Sequence, residues 1–168
     1  MIQADVFPPE QLSHVIPRLA AFIGSTGLSN GDRAMLRRMQ FDQMPPLGFY
    51  KLAQTRLPSG WDSVQAERDW MVVVSGMCLM YPSIHRSDQP LGVALARAHY
   101  AEARLERLLA SNGDAQRTLV LRMVRFLASQ HAACDWNDIA RILLTRDPDK
   151  REHLYRRIAS HFYANLTQ

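Results

Sequence analysis

Apolar side chains recur every three or four residues along most of this 168-residue chain, and short polar or proline-containing connectors interrupt them. In the first such segment, from about Pro9 to Ile23, they are Leu12, Val15, Ile16, Leu19, Phe22 and Ile23. This spacing places them along one face of an α-helix, which has about 3.6 residues per turn. The pattern predicts an all-α protein whose helices pack through such apolar faces.

Capping residues mark where several of the predicted helices begin. Ser29, followed three residues later by Asp32, predicts one helix start, because these side chains accept hydrogen bonds from the first backbone N–H groups. Asp135 and Asp147 predict two more, and Pro148 stands where the first helical turn favours proline. Elsewhere, the stretch from Leu91 to Leu109 predicts a helix in two pieces, broken near residue 99.

The clearest internal boundary is the polar, proline-bounded segment Pro82–Pro90. Short connectors elsewhere favour antiparallel neighbouring helices. We therefore expect a compact helical bundle made of two packed antiparallel sub-bundles, residues 1–85 and 90–168. A single compact domain is the alternative, and the chain length suits it.

Several features limit where the protein can work. The longest apolar run, Trp70–Tyr81, is too short to cross a bilayer. Residues Met1–Pro9 have neither the basic start nor the apolar stretch of a signal peptide. The two cysteines, Cys78 and Cys134, do not suggest a disulfide framework. We expect a soluble cytoplasmic protein with no membrane partner.

The sequence contains no motif that indicates catalysis. Phosphate-binding GxxxxGK[ST], dinucleotide-binding GxGxxG and nucleophile-elbow GxSxG patterns are missing. His131 and Cys134 have the spacing of a zinc pair, but no second pair accompanies them. We expect no metal, no cofactor and no catalytic residue. Among the aromatic residues, Trp61 in its glycine-containing turn is the one that we expect to be exposed enough to be a candidate for ligand contact.

Arginine supplies eighteen of the twenty basic side chains, and the net charge of +4 favours an anionic partner. The planar guanidinium group of arginine binds phosphate oxygens through two donors, and its charge does not titrate. Arginines occur in several separate predicted helices, as a surface that holds a nucleic-acid backbone requires. The candidate nucleic-acid-binding residues are Arg37, Arg38, Arg86, Arg107, Arg122, Arg125, Lys150 and Arg151.

Seven short motifs follow one another in order along the chain. They are Leu36-Arg37-Arg38, Phe49-Tyr50-Lys51-Leu52, Gly60-Trp61, Leu91-Gly92-x-Ala94-Leu95-Ala96, Glu102-x-Arg104-Leu105-x-x-Leu108-Leu109, Asp135-Trp136-x-x-x-Ala140-Arg141-x-Leu143 and Lys150-Arg151-Glu152. Over residues 28–163, this series resembles the small subunit of the type I-E CRISPR surveillance complex Cascade, the CasB family. Each motif is short, and the resemblance depends on their common order in a helical chain of matching length.

The resemblance implies an all-helical, non-catalytic subunit that lies beside the backbone subunits and the guide RNA, paired head to tail with a second copy. It implies that the subunit stabilises the pairing of guide RNA with target DNA in antiviral defence, and holds the displaced strand on a basic surface. There are departures: Gln65 stands where a basic residue is expected, with Arg68 as the nearest substitute, and residues 1–27 show no specific match.

The resemblance also assigns binding residues. Lys150 and Arg151 match the family's basic pair before the last helix, and Arg125 and Arg38 match two other basic positions. We expect these four to line up as one continuous strip. The glutamate-containing context of Arg104 favours pairing with an acid inside the fold instead.

Two alternatives remain. In one, the chain is an all-α protein-interaction adaptor that binds no nucleic acid, and its arginines only increase solubility and pair with acids. In the other, it is a helix-turn-helix DNA-binding regulator, with Ala115–Gln130 and Asp135–Leu144 as the helix pair.

Overall fold

The computed structural model describes residues 5–166, which form nine α-helices and no β-strand, so the predicted all-α fold is confirmed. The helices are α1 (Pro9–Ile23), α2 (Asn30–Arg37), α3 (Leu47–Arg56), α4 (Val64–Met80), α5 (Leu91–Arg97), α6 (Glu102–Ala110), α7 (Gly113–Ser129), α8 (Trp136–Leu144) and α9 (Pro148–Asn165). Within the described residues, no helix combines the length and the apolar character that a membrane span requires.

The three predicted caps are confirmed. The Ser29 hydroxyl accepts a hydrogen bond from the Asp32 backbone N–H at 3.1 Å, at the start of α2. Asp135 caps α8 and Asp147 caps α9, each by accepting a hydrogen bond from the backbone N–H two residues further on. Because each cap satisfies a donor that the helix itself leaves unpaired, the local sequence was sufficient to indicate these helix starts.

The predicted break near residue 99 is also confirmed. Helix α5 ends at Arg97 and α6 begins at Glu102. Between them His99 has a backbone φ of 60°, and the Tyr100 N–H donates to the Leu95 carbonyl at 2.9 Å. This turn places Tyr100, which is buried, beside the start of α6.

Helix α4 lies at the centre of the core. From Asp69 to Met80 every residue but Leu79 is buried, because α2, α7 and α8 pack around this part of the helix. This surrounding packing explains why the stretch Trp70–Met80 is apolar apart from Ser75 and has no polar face. Gly76 is required where α4 meets α8, since a Cβ atom there would lie 2.6 Å from the ring of Trp136.

Helices from both sides of the Pro82–Pro90 segment share one cluster of buried side chains. Helix α4 packs against α7, and α1 packs against α8. The segment itself is held by backbone hydrogen bonds from Arg86 to Cys134 and from Asp135 to Gln89. The division into two sub-bundles stays a prediction, and its outermost residues, 1–4 and 167–168, lie outside the described part of the chain.

Candidate nucleic-acid interface

One group of arginines, the buried Arg117 and the partly exposed Arg146, surrounds the buried carboxylate of Asp69 on α4. Only 2 % of this side chain is exposed. Arg117 of α7 donates through Nε to one carboxylate oxygen at 2.8 Å, and Arg146, between α8 and α9, donates to the other at 2.5 Å. Burial raises the pKa of Asp69, and the two guanidinium groups oppose this shift. The cluster therefore joins three parts of the fold, and its arginines are engaged in internal contacts.

Lys150 lies beside a second buried carboxylate. Its Nζ is 3.4 Å from Asp5 Oδ2, and half of the Lys150 side chain stays exposed. Asp5 also accepts the backbone N–H groups of Arg146 and Asp147, at 2.6 and 3.0 Å. Burial alone would raise the pKa of Asp5, but these hydrogen bonds and Lys150 lower it below its usual value. Lys150 thus helps to hold the start of α9 against the N-terminal segment.

Arg151 is half-buried and bonded within the protein. It donates to the Thr145 carbonyl at 3.0 Å and to the Tyr155 hydroxyl at 2.6 Å. The same hydroxyl accepts a hydrogen bond from Gln116 of α7 at 3.1 Å. Arg151 therefore links the end of α8, α9 and the start of α7.

Two other candidates are exposed but have intramolecular partners. Arg38 donates to the Ala34 carbonyl of its own helix at 3.2 Å. Arg86 forms two hydrogen bonds with Asp88, at 3.1 and 2.8 Å. This local pair offsets the charge that Arg86 would offer to an anion.

A contrasting group of exposed arginines has no hydrogen-bond or ion-pair partner for its side chains among residues 5–166. Its members are Arg18, Arg37, Arg56, Arg104, Arg107, Arg122 and Arg125, and of these Arg56 lies over the Phe22 ring. The expectation that Arg104 pairs with an acid inside the fold is therefore wrong. Unpartnered guanidinium groups keep all their donors available to an external acceptor.

Four of these arginines line two adjoining clefts. Arg104, Arg107 and Arg122 line a cleft of about 360 Å³ between α6 and α7. Arg122 and Arg125 line a second cleft of about 350 Å³, between α7 and residues 39–42 after α2. Because Arg122 belongs to both, the four form one continuous surface, which we call the α6–α7 arginine face. Asp42 in the second cleft is the one carboxylate among the residues lining them.

The structure thus brings together three of the predicted site residues, Arg107, Arg122 and Arg125. It does not place Lys150 or Arg151 in either cleft, since both lie where α8 leads into α9. Arg104 was missed as a candidate. Helical spacing could have indicated it, because Arg104 with Arg107, and Arg122 with Arg125, are three residues apart on consecutive helices and so share a face.

Two other expectations changed with the tertiary structure. Trp61 is 8 % exposed, with its ring centroid 5.9 Å from that of Phe49, so the prediction of an exposed ligand-contacting tryptophan is wrong. Helix α8 is buried along almost its whole length, and only Arg141 is partly exposed. A recognition helix must present side chains to the DNA groove. Burial of α8 therefore excludes the helix-turn-helix arrangement.

Comparison with known proteins identifies the family. The family model for CRISPR-associated protein Cse2 matches residues 32–163, which is more than half of the chain. The chain belongs to the Cse2 family. This membership agrees with the expectation of a non-catalytic subunit rather than an enzyme, and confirms the resemblance drawn from the seven motifs.

Two solved structures share the fold of this Cse2-family chain. One is a chain in the crystal structure of E. coli Cascade bound to a PAM-containing double-stranded DNA target, with a TM-score of 0.65 and 23 % identity. That likeness covers 89 % of this chain and 97 % of the other. The second is CasB from Thermobifida fusca, with a TM-score of 0.63, 15 % identity and coverage of 95 % and 99 %. No curated protein sequence matches the chain.

Proposed function

We propose that this Cse2-family chain is a non-catalytic subunit of a Cascade-type CRISPR surveillance complex, and that it stabilises the pairing of guide RNA with target DNA by holding the displaced strand. Membership of the family and the likeness to a chain of DNA-bound E. coli Cascade support the assembly. The observation that carries the binding role is the α6–α7 arginine face, where four guanidinium groups without internal partners adjoin one another.

The energetics of target opening explain why such a face is useful. The RNA–DNA hybrid is about as stable as the DNA duplex that it replaces, so opening is nearly balanced. A protein surface that neutralises phosphates of the displaced strand therefore shifts the equilibrium towards the open state. Phosphate contacts carry no base information, so this contribution is the same for every target sequence.

The remaining candidates have subordinate places in the proposal. Arg37 ends α2 and Arg38 follows it, but neither lines the two clefts, and Arg37 lines a separate pocket with Arg33 and Tyr81. In the proposal they contact the strand where it runs beyond the face. Lys150 can contact phosphate through its exposed part. Arg86 and Arg151 contribute only where they exchange an internal partner for phosphate. The partners are the other Cascade subunits, the guide RNA, target DNA and a second copy of this chain arranged head to tail.

The test removes three charges from the face. The Arg107→Ala, Arg122→Ala, Arg125→Ala variant is assembled with its partner subunits and guide RNA, and the dissociation of target DNA is measured over a range of salt concentrations. We expect faster dissociation. The equilibrium binding constant, measured over the same salt range, should show a shallower salt dependence, by about 0.7 in log–log slope per lost contact. Thermal unfolding of the isolated variant should match wild type, because these side chains have no internal partners.

A matched control removes three charges elsewhere. Arg18, Lys51 and Arg56 are exposed on α1 and α3 and line neither cleft. Their triple alanine variant should leave both the dissociation rate and the slope near wild type. Equal effects of the two triple variants would show that net charge, and not the α6–α7 arginine face, retains the DNA.

One observation favours the alternative of a protein-interaction adaptor. Met44 and Leu47, at the connection between α2 and α3, are each 80 % exposed. Exposed apolar residues of this size suit a contact with another protein. An adaptor without a nucleic-acid role predicts that Met44→Ser, Leu47→Ser prevents assembly, while the arginine-face variant retains target DNA as well as wild type.

A further inference from the structure

The cleft between α6 and α7 has two chemically different parts. Its floor is formed by Tyr100, which is buried, and by Leu119, which is half-buried. Its rim carries the guanidinium groups of Arg104, Arg107 and Arg122, all exposed and without internal partners. No carboxylate is among the residues that line it. An apolar floor below a purely cationic rim suits a ligand that has both a flat apolar part and negative charge.

The floor is held in place before any ligand arrives. The left-handed turn at His99 and the hydrogen bond from the Tyr100 N–H to the Leu95 carbonyl fix the backbone. The Tyr100 ring packs against Phe126, with 5.1 Å between the ring centroids. Burial raises the pKa of the Tyr100 hydroxyl, with Arg104 opposing, so this side chain stays neutral at physiological pH. A preorganised surface binds without the entropy loss of ordering its own side chains.

Size and chemistry together narrow the ligand. The volume of about 360 Å³ lies in the range of sites for small organic molecules, and a lone phosphate has no use for an apolar floor. An unstacked nucleotide has a flat base and flanking phosphates, and single-stranded bases are commonly held by aromatic and apolar side chains beside arginine. Bases inside a duplex are stacked on their neighbours and are not available for such a cleft.

We propose that the α6–α7 cleft takes one unstacked nucleotide of the displaced strand, with its base against Tyr100 and Leu119 and its phosphates on Arg104, Arg107 and Arg122. This inference rests on the proposed function and deepens it. The arginine face alone would hold the strand at any register, whereas an occupied cleft fixes one nucleotide at a defined position in the complex.

The test scans the displaced strand position by position. In one series of targets a single phosphate is replaced by a neutral methylphosphonate, and in a second series a single base is removed. Dissociation from the fully assembled complex is measured for each target. We expect both series to show a maximum at the same position, where dissociation is about fivefold to tenfold faster, in keeping with the loss of one base contact.

A charge-preserving variant connects that maximum to the cleft. Arg104→Lys with Arg107→Lys keeps both charges but removes the planar forks. We expect the maximum to disappear in this variant, while the other positions keep their rates. Arg18→Lys with Arg56→Lys is the matched control and should leave the maximum unchanged. Thermal unfolding of each isolated variant checks that the fold is intact.

Three other outcomes would contradict either the nucleotide site or the proposed function. If both scans are flat while the Arg107, Arg122, Arg125 triple variant still loses target DNA, the nucleotide site is wrong and the proposed function stands. A maximum in the methylphosphonate series alone shows that the cleft holds a phosphate and no base, which also overturns the inference. If the triple variant retains DNA like wild type, the proposed function itself fails.

Discussion

Helix α7 joins two regions that use arginine in opposite ways. Arg117, near its start, is buried and donates to Asp69, Asp114 and Gln65. Arg122 is five residues further along, on a different side of the helix at 3.6 residues per turn, and it is exposed without a partner. In the first region the guanidinium group donates to acceptors inside the fold, while in the second it has no internal acceptor. The same residue type therefore stabilises the structure in one place and is available to a ligand in the other.

Burial explains the difference. A guanidinium group that loses water must find acceptors within the protein, because an unpaired buried charge is very costly. The Asp69 cluster supplies acceptors from α4, from Asp114 in the first turn of α7 and from the Leu143 carbonyl of α8. On the α6–α7 arginine face, water satisfies the donors until an anion displaces it. The comparison predicts that substitutions in the first region act on stability and those in the second act on binding.

The largest expected effect is a loss of folding stability when the Asp69 cluster is disrupted. Asp69→Ala should lower the free energy of unfolding by about 3–5 kcal/mol, because it leaves the charge of Arg117 buried without its main partner. Denaturant unfolding of the isolated protein measures this. Glu152→Ala breaks an exposed ion pair with Arg156 and should cost only about 0.5 kcal/mol or less. Similar losses in the two variants would show that burial does not separate the two kinds of arginine.

An intermediate effect is expected at Arg151. Arg151→Ala removes hydrogen bonds to Thr145 and Tyr155 and should lower the free energy of unfolding by about 1–2 kcal/mol. Arg125→Ala removes an exposed, unpartnered side chain and should stay within about 0.5 kcal/mol of wild type. Denaturant unfolding of both variants distinguishes them. If Arg125→Ala proves as destabilising as Arg151→Ala, Arg125 has an internal role and does not belong with the open group.

The smallest expected effect is a dependence of folding stability on pH, which arises from the internal contacts alone. The backbone N–H of Trp136 donates to His85 Nδ1 at 3.1 Å, so the imidazole must be neutral there. Burial lowers the pKa of His85, although Asp135 partly opposes this. His85 is therefore protonated more readily in the unfolded chain than in the folded protein. The stabilisation that neutral His85 gives is complete above about pH 6.5 and is lost as the pH falls through the folded-state pKa.

Melting temperatures between pH 7.5 and 5.5 measure this dependence. His85→Gln, whose amide oxygen can accept the same hydrogen bond, should reduce the loss seen in wild type on acidification. The charge on the arginine face does not change in this range, so the dissociation of target DNA should vary little. An unchanged pH profile in the variant would show that His85 does not cause the loss.

Different parts of the candidate site were accessible to sequence reasoning for different reasons. Arg122 and Arg125 could be predicted from their spacing on one helix, and the family resemblance also marks Arg125. The glutamates near Arg104 predict an internal partner for it, yet none of them reaches it. Lys150 and Arg151 match the family's basic pair, and the structure gives both of them intramolecular partners.

The sequence by itself determined the all-helical fold, the capped starts of α2, α8 and α9, the break near residue 99 and the family. Each of these depends on residues close together in the chain, where periodicity and local hydrogen bonds decide the outcome. Only the tertiary structure decided which arginines are open to a partner and that Trp61 is buried. Asp69 and Arg117 are 48 residues apart in sequence, and their contact exists only because α4 packs against α7. Burial and pairing arise between distant residues, so the packed fold assigns each arginine to the interior or to a ligand.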